Sequence, residues 1–224
     1  MAVMFAIGSL CFAFGGVAAQ WESSPHAAIG VVFFVGSIFF TSAAYLQYAE
    51  AVNVERSLGG MSEAARWRPA SWEPRRIGWL AAAVQLIGTL FFNVTTFTGM
   101  KAGFTTHQQN ARVWAPDAVG SVAFLVSSEL AYAEVCHRWV CLRRRSLQWR
   151  IVALNLLGSI AFGVSAIASF VEPASGDPVS ARIANAGTAL GGVCFLIGAL
   201  LLMPEAAAEE MAARETDQLP APSR

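Results

Sequence analysis

The sequence predicts an all-α polytopic integral membrane protein, with six transmembrane helices in three tandem two-helix hairpins and both termini in the cytoplasm. Three observations carry that expectation. Charged residues make up only 13% of the 224 residues and hydrophobic ones 55%, against about 25% charged in an average soluble domain. Lys and Arg crowd into alternate loops. A five-residue pattern recurs once in every apolar run. The formal net charge is +0, which leaves no basic field for nucleic acid.

Uncharged stretches run over Met1–Trp21, Ser23–Ala49, Ile77–Met100, Ile151–Val171 and Ile183–Pro204. About 20 mostly apolar residues are needed to cross roughly 30 Å of hydrocarbon. Ala118–Val135 is a sixth such stretch, interrupted by Glu129. The expected spans are Val3–Ala19, Ala27–Tyr48, Gly78–Met100, Ala118–Val135, Ile151–Val171 and Ala184–Met203. The first is read as a retained span because no basic n-region precedes it, although Val17-Ala18-Ala19 resembles a cleavage site. All seven Trp fall in loops or at span ends, where an indole sits best at headgroup level. The organisation is then one membrane domain over residues 1–204. Its hairpins cover 1–49, 78–135 and 151–204, its cytoplasmic loops 50–77 and 136–150, and a partly disordered tail covers 205–224.

Orientation follows from the cations. Arg56, Arg66, Arg68, Arg75, Arg76, Arg138, Arg143, Arg144, Arg145 and Arg150, with Arg214 and Arg224 of the tail, put 12 on one side. The other side has 3: Lys101, Arg112 and Arg182. Positive residues stay cytoplasmic, so both termini are expected inside a bacterial inner membrane. The Arg clusters would meet anionic lipid headgroups.

The repeat is the most informative feature. Gly8-Ser9-Leu10-Cys11-Phe12, Gly36-Ser37-Ile38-Phe39-Phe40, Gly88-Thr89-Leu90-Phe91-Phe92, Gly120-Ser121-Val122-Ala123-Phe124 and Gly158-Ser159-Ile160-Ala161-Phe162 share one pattern. It is Gly, a hydroxyl residue, a branched aliphatic, any apolar residue, then Phe. A sixth copy, Gly191-Gly192-Val193-Cys194-Phe195, lacks only the hydroxyl. Gly and Ser/Thr let neighbouring backbones approach closely, and Phe four residues on lies on the same face one turn along. Gly8, Gly36, Gly88, Gly120, Gly158 and Gly191 are therefore expected at helix contacts. The hydroxyls either serve the same packing or line a common path. Spacings of 28, 32 and 33 residues within consecutive pairs of copies suggest the three hairpins. Self-association into a homo-oligomer is allowed.

At these residues the chain resembles the bacterial membrane proteins with YrhK-type domains, two-span units with a Gly-Ser-containing apolar helix. The matching segments are Gly88–Phe92 with Asn93, Trp114-Ala115-Pro116-Asp117 leading into Gly120–Phe124, and Asn155-Leu156-Leu157-Gly158-Ser159. With the first two spans, the resemblance covers nearly the whole chain apart from the tail. It implies a multi-pass membrane protein and carries over no functional residues.

Few residues could carry chemistry. Glu129 is the one charged side chain well inside an expected span, where an ionised acid costs about 2.5–3.5 kcal/mol. Gln85 lies at about the same depth and Asn155 somewhat nearer the cytoplasm, so the three are expected around one interior polar site. Two readings stand side by side: an acid paired with amides that ties helices together, or the polar site of a permeation path. Glu134 and His137, one turn apart, are expected as an interfacial hydrogen-bonded pair. Cys136 and Cys141 flank His137 on the reducing side, so they are expected as thiols. No metal site, cofactor, phosphate-cradling loop or catalytic motif is legible, and no enzyme is expected. The leading expectation is a membrane scaffold, assembly factor or sensor partner. The alternative is a small transporter whose site is Glu129, Gln85 and Asn155.

Overall fold

The computed structural model describes residues 1–21, 25–58, 68–139, 141–143 and 146–217, and for 54–58 and 205–217 it describes the backbone alone. Arg66, Trp67, Arg144, Arg145 and Arg224 lie outside the described residues, as do the side chains of Arg56 and Arg214. All the regular structure named here is helical apart from an isolated bridge between Val171 and Pro178. The helices are α1 (Ala2–Ala18), α2 (His26–Leu58), α3 (Ile77–Gly99), the short α4 (Thr106–Gln109), a π-turn (Asn110–Trp114), α5 (Ala115–Cys136), α6 (Leu147–Ala168) and α7 (Ala181–Asp217). Five helical stretches are long and apolar enough to cross a membrane: His26–Asn53, Ile77–Gly99, Thr106–Cys136, Leu147–Ala168 and Ala181–Pro204. The sixth apolar helix, α1, has 17 residues.

Three boundaries differ from the sequence expectation. Helix α2 continues past Tyr48 to Leu58, into the predicted loop. Helix α7 passes through Pro204 to Asp217, so the tail begins as a continuation of the preceding helix. Most consequential, the segment before the expected fourth span is already helical from Thr106, with α4, the π-turn and α5 forming one rod. Thr105 opens it with a capping box, in which Gln108 answers the Thr105 backbone. The π-turn loosens the backbone pattern just before Pro116 in the first turn of α5. A proline there lacks an N–H that a regular helix would use, and the widened turn carries the chain past it.

The long helices close into a ring. Helix α1 packs on α2, α2 on α3, α3 on α5, α5 on α6, α6 on α7, and α7 back on α1. One end gathers the first residues of α1, α3 and α6 with the last turns of α2 and α5, as Tyr48 on Trp79 and Glu134 beside Gly78 show. The described arginines Arg68, Arg75, Arg76, Arg138, Arg143 and Arg150 belong to this end. The other end is tied by Gln20 donating to the Arg182 carbonyl, Asn185 donating to the Ala19 carbonyl, and Asn110 exchanging two bonds with Val171.

Each position of the five-residue pattern has its own direction. The aliphatic position points outward: Leu10, Ile38, Leu90, Val122, Ile160 and Val193 are all 41–59% exposed. Apolar exposure on every helix would be untenable in water and is what lipid contact requires. The hydroxyls Ser9, Ser37, Thr89, Ser121 and Ser159 are buried, and the six phenylalanines are buried on the axis.

Candidate functional site

The axis is filled by two stacked aromatic triangles. Phe12, Phe92 and Phe162, from α1, α3 and α6, have ring centroids 5.8–6.4 Å apart. Phe40, Phe124 and Phe195, from α2, α5 and α7, are 5.7–6.2 Å apart. Partners in neighbouring helices join the layers at 5.0–5.5 Å: Phe12 to Phe40, Phe92 to Phe124, Phe162 to Phe195. Such pairs contribute about 0.5–1.5 kcal/mol each beyond area burial.

The glycines make room for these rings reciprocally. A Cβ on Gly8 would lie 2.9 Å from the Phe40 ring, and one on Gly36 would lie 3.2 Å from Phe12. Gly88 faces Phe124 at 2.8 Å, Gly120 faces Phe92 at 2.9 Å, Gly158 faces Phe195 at 2.9 Å, and Gly191 abuts Phe162. Each phenylalanine of one helix therefore seats on the glycine of its sequence neighbour. The hydroxyls work at other seams: Ser37 meets Thr96 at 2.9 Å between α2 and α3, and Ser159 meets Ser128 at 2.7 Å between α5 and α6. Where α1 meets α7 the sixth copy has Gly192 instead of a hydroxyl. A Cβ there would lie 2.5 Å from the Ala13 nitrogen, so backbone fills the space. Ser9, at this seam, has no hydrogen-bond partner for its Oγ among the described residues.

Cavities that hold polar groups lie on both sides of the aromatic layers. At the Arg-rich end is a vestibule of about 160 Å³ to which all six long helices contribute, with Gln47, Gln85, Ser128 and Asn155 as its polar lining. At the other end, a cavity of about 30 Å³ is lined by Asp117, Ser121, Ser165 and Thr188 above the triangle of Phe12, Phe92 and Phe162, the outer of the two. Gln85 and Asn155 thus come together as expected from their depth. Glu129 does not join them. It is half-buried in α5, and the inward place belongs to its neighbour Ser128, about 100° away around the helix.

Sequence reasoning missed Asp117, Ser165, Thr188 and Gln47. Asp117 looked like a loop residue because Pro116 and its own charge ended the apolar run. A signal was present nonetheless. Gln85, Asp117, Asn155 and Thr188 each lie three residues before a pattern glycine, as do Phe5 and Phe33. That is seven residues, or two turns, before the pattern phenylalanine, hence on the same axial face.

Two further expectations are corrected at the Arg-rich end. Cys136 and Cys141 form a disulfide, with Cα atoms 5.7 Å apart. His137 caps α5 in the left-handed conformation, φ 53°, and turns the chain back so that the two side chains meet. The returned loop is held by Trp149 Nε1 donating to the Cys141 carbonyl at 3.1 Å and by Tyr132 Oη donating to the same oxygen. His137 meets Glu134 through its backbone N–H to the Glu134 carbonyl, 3.3 Å, as a cap and not as a side-chain pair. No family model, curated protein or solved structure matches the chain.

Proposed function

We propose that the chain is a non-enzymatic multi-pass protein of a bacterial inner membrane that acts as a non-conducting helix bundle. In this reading it serves as a scaffold, assembly factor or sensor partner, working through its outer faces and basic cytoplasmic loops. The observation that supports this best is the double phenylalanine layer, whose buried rings fill the axis among the described residues. Opening a path there would separate several ring pairs together, at about 0.5–1.5 kcal/mol each before any loss of buried area.

Six spans in three hairpins fit the same reading. Helix α1 is about 26 Å long at 1.5 Å per residue, at the short end of what crosses a bilayer, yet it holds a full place in the ring between α2 and α7. The three aromatic pairs then read as three copies of one hairpin around a common axis, in line with the resemblance to YrhK-type proteins. The Arg excess favours a cytoplasmic Arg-rich end in contact with anionic headgroups, whereas a disulfide there favours an oxidising compartment. The cation count reflects the energetics of insertion over the whole chain. A bridge between cysteines five residues apart follows whichever compartment it meets. For the orientation we weight the former.

The test has two arms. In a background without native cysteines, Ser175→Cys should react with an impermeant thiol reagent from outside and Ser62→Cys (a position outside the described residues) only after permeabilisation; reversed labelling would overturn the orientation. In reconstituted vesicles the protein should add no ion or small-solute flux above empty vesicles. The vestibule with Gln85 and Asn155 favours a second reading, a small transporter. Sustained flux that is lost in Gln85→Leu and Asn155→Leu would establish it over the first.

A further inference from the structure

The small cavity at the Arg-poor end has a chemistry that the packing of the bundle does not explain. Its floor is the outer phenylalanine triangle and its walls are Asp117, Ser121, Ser165 and Thr188. The hydroxyl protons are directed at backbone carbonyls. Ser121 donates to the Phe162 carbonyl at 3.4 Å, Ser165 to the Ala184 carbonyl at 2.7 Å, and Thr188 to the same carbonyl at 3.1 Å. Ser165 and Thr188 also lie 2.8 Å apart; with one proton each, one donates to the Ala184 carbonyl and the other to the same carbonyl or across this contact. A hydroxyl has one proton and two lone pairs. What remains to face the cavity is lone pairs, beside a carboxyl group.

Among the described residues no hydrogen bond or ion pair satisfies Asp117, and two of the cations at this end are engaged elsewhere. Lys101 lies over the Phe97 ring at 5.4 Å, and Arg112 over Phe104 at 5.8 Å. An ionised carboxylate drawn away from water needs a positive partner, because desolvation of an unpaired charge costs several kcal/mol, and Asp117 is partly buried. The described groups lining the cavity supply no positive charge, so the carboxyl is balanced either by its own proton or by a cation from outside the chain.

We propose that Asp117, Ser121, Ser165 and Thr188 form a binding site for a small monovalent cation of the Na⁺ class. The ligand set consists of oxygens only, which suits a hard cation and none of the softer transition metals. One carboxylate balances one charge; a divalent ion would leave an uncompensated positive charge in a low-dielectric site. About 30 Å³ holds one or two water-sized bodies, which admits a dehydrated ion and excludes a hydrated one or an organic cation. The location suits it too. This end of the bundle is the one poor in Lys and Arg, so no basic field opposes entry. The π-turn that ends at Trp114, just before Asp117, is a kind of irregularity found frequently at functional sites. Thr95 Oγ1 and Trp114 Nε1 hold it in place, donating to the Val113 and Ala166 carbonyls at 2.6 and 2.8 Å.

The experiment reads binding, not flux, so it stands apart from the vesicle assay above. Full-length protein in detergent is titrated with radiolabelled sodium, and its thermal midpoint is compared in NaCl and in choline chloride at equal ionic strength. Expected are saturable sodium binding, competition by unlabelled Na⁺ and Li⁺ but not choline, and a higher midpoint in NaCl. Asp117→Asn should weaken binding by about tenfold or more, while keeping a cooperative transition in choline. Thr188→Val, which preserves shape, should weaken it as well and carries the test if Asp117→Asn fails to fold. Glu129→Gln, an acid of α5 that does not line this cavity, should bind like wild type. Absence of saturable binding in wild type would overturn the proposal. Binding unchanged in Thr188→Val, or lost in Glu129→Gln, would overturn it equally.

Discussion

At the Arg-rich end the axis widens into a largely apolar vestibule of about 160 Å³ whose polar groups are mainly amides, whereas at the other end it narrows to about 30 Å³ with one carboxyl and three hydroxyls over a phenylalanine floor. Both ends use the same register, three residues before a pattern glycine. On α1, α3 and α6 that register holds Phe5, Gln85 and Asn155 and faces the vestibule. On α2, α5 and α7 it holds Phe33, Asp117 and Thr188 at the opposite end. The first helix pair has phenylalanine at both places, and Phe33 packs on Phe12 with centroids 5.6 Å apart. At this register the polar groups therefore come from the second and third helix pairs, and the first pair adds only Gln47 of α2 to the vestibule. Amides carry donors and acceptors together and can satisfy one another or a neutral guest. An ionised carboxylate among hydroxyls that donate elsewhere offers only acceptors and calls for a proton or a cation. One architecture thus presents two sites of different chemistry, separated by two layers of aromatic rings.

The comparison breaks most plainly on access. With native cysteines removed, Gln85→Cys and Asn155→Cys should be modified by a small thiol reagent, and Ser121→Cys and Thr188→Cys should resist it in the folded state. Equal reactivity at both ends would mean that the narrow end is as open as the vestibule. Next comes the layer between them. Phe124→Ala removes a ring that is 1% exposed and touches both triangles, and should cost about 3–5 kcal/mol in unfolding free energy. A loss below about 1 kcal/mol, the scale of an Ile→Val trim, would show that the layer is not a shared core.

The seams sharpen the picture at smaller scale. Gly192→Ala drives a methyl into the backbone of Ala13 at 2.5 Å, while Gly30→Ala meets only the Met100 side chain at 3.0 Å. The first should cost about 1–3 kcal/mol as overpacking and the second much less, by thermal unfolding in detergent; the reverse order would sink the account of the α1–α7 seam. The smallest effect is expected at the hydroxyls. Ser37→Ala, which loses the bond to Thr96, should cost about 0.6 kcal/mol, the average for hydrogen bonds within membranes. A larger loss would assign the hydroxyls more than packing.

The sequence alone determined that the chain is helical, and which stretches are apolar enough to cross a membrane, because both depend on runs of neighbouring residues and on one-dimensional spacing. It also marked the glycines and phenylalanines, since a period of four within an apolar helix already places them on one face. The ring closure was decided by tertiary packing: that α1 lies against α7 rests on Gly16 and Gly192, whose bare backbones admit Ala189 and Ala13, and no local window shows that pairing. Asp117 became an axial residue only because a π-turn carries the helix across Pro116, which a hydropathy window reads as an end. Glu129 and Ser128 were exchanged for the same reason. Depth can be counted along a sequence, but the direction a side chain takes around its helix is set by the neighbours it packs against.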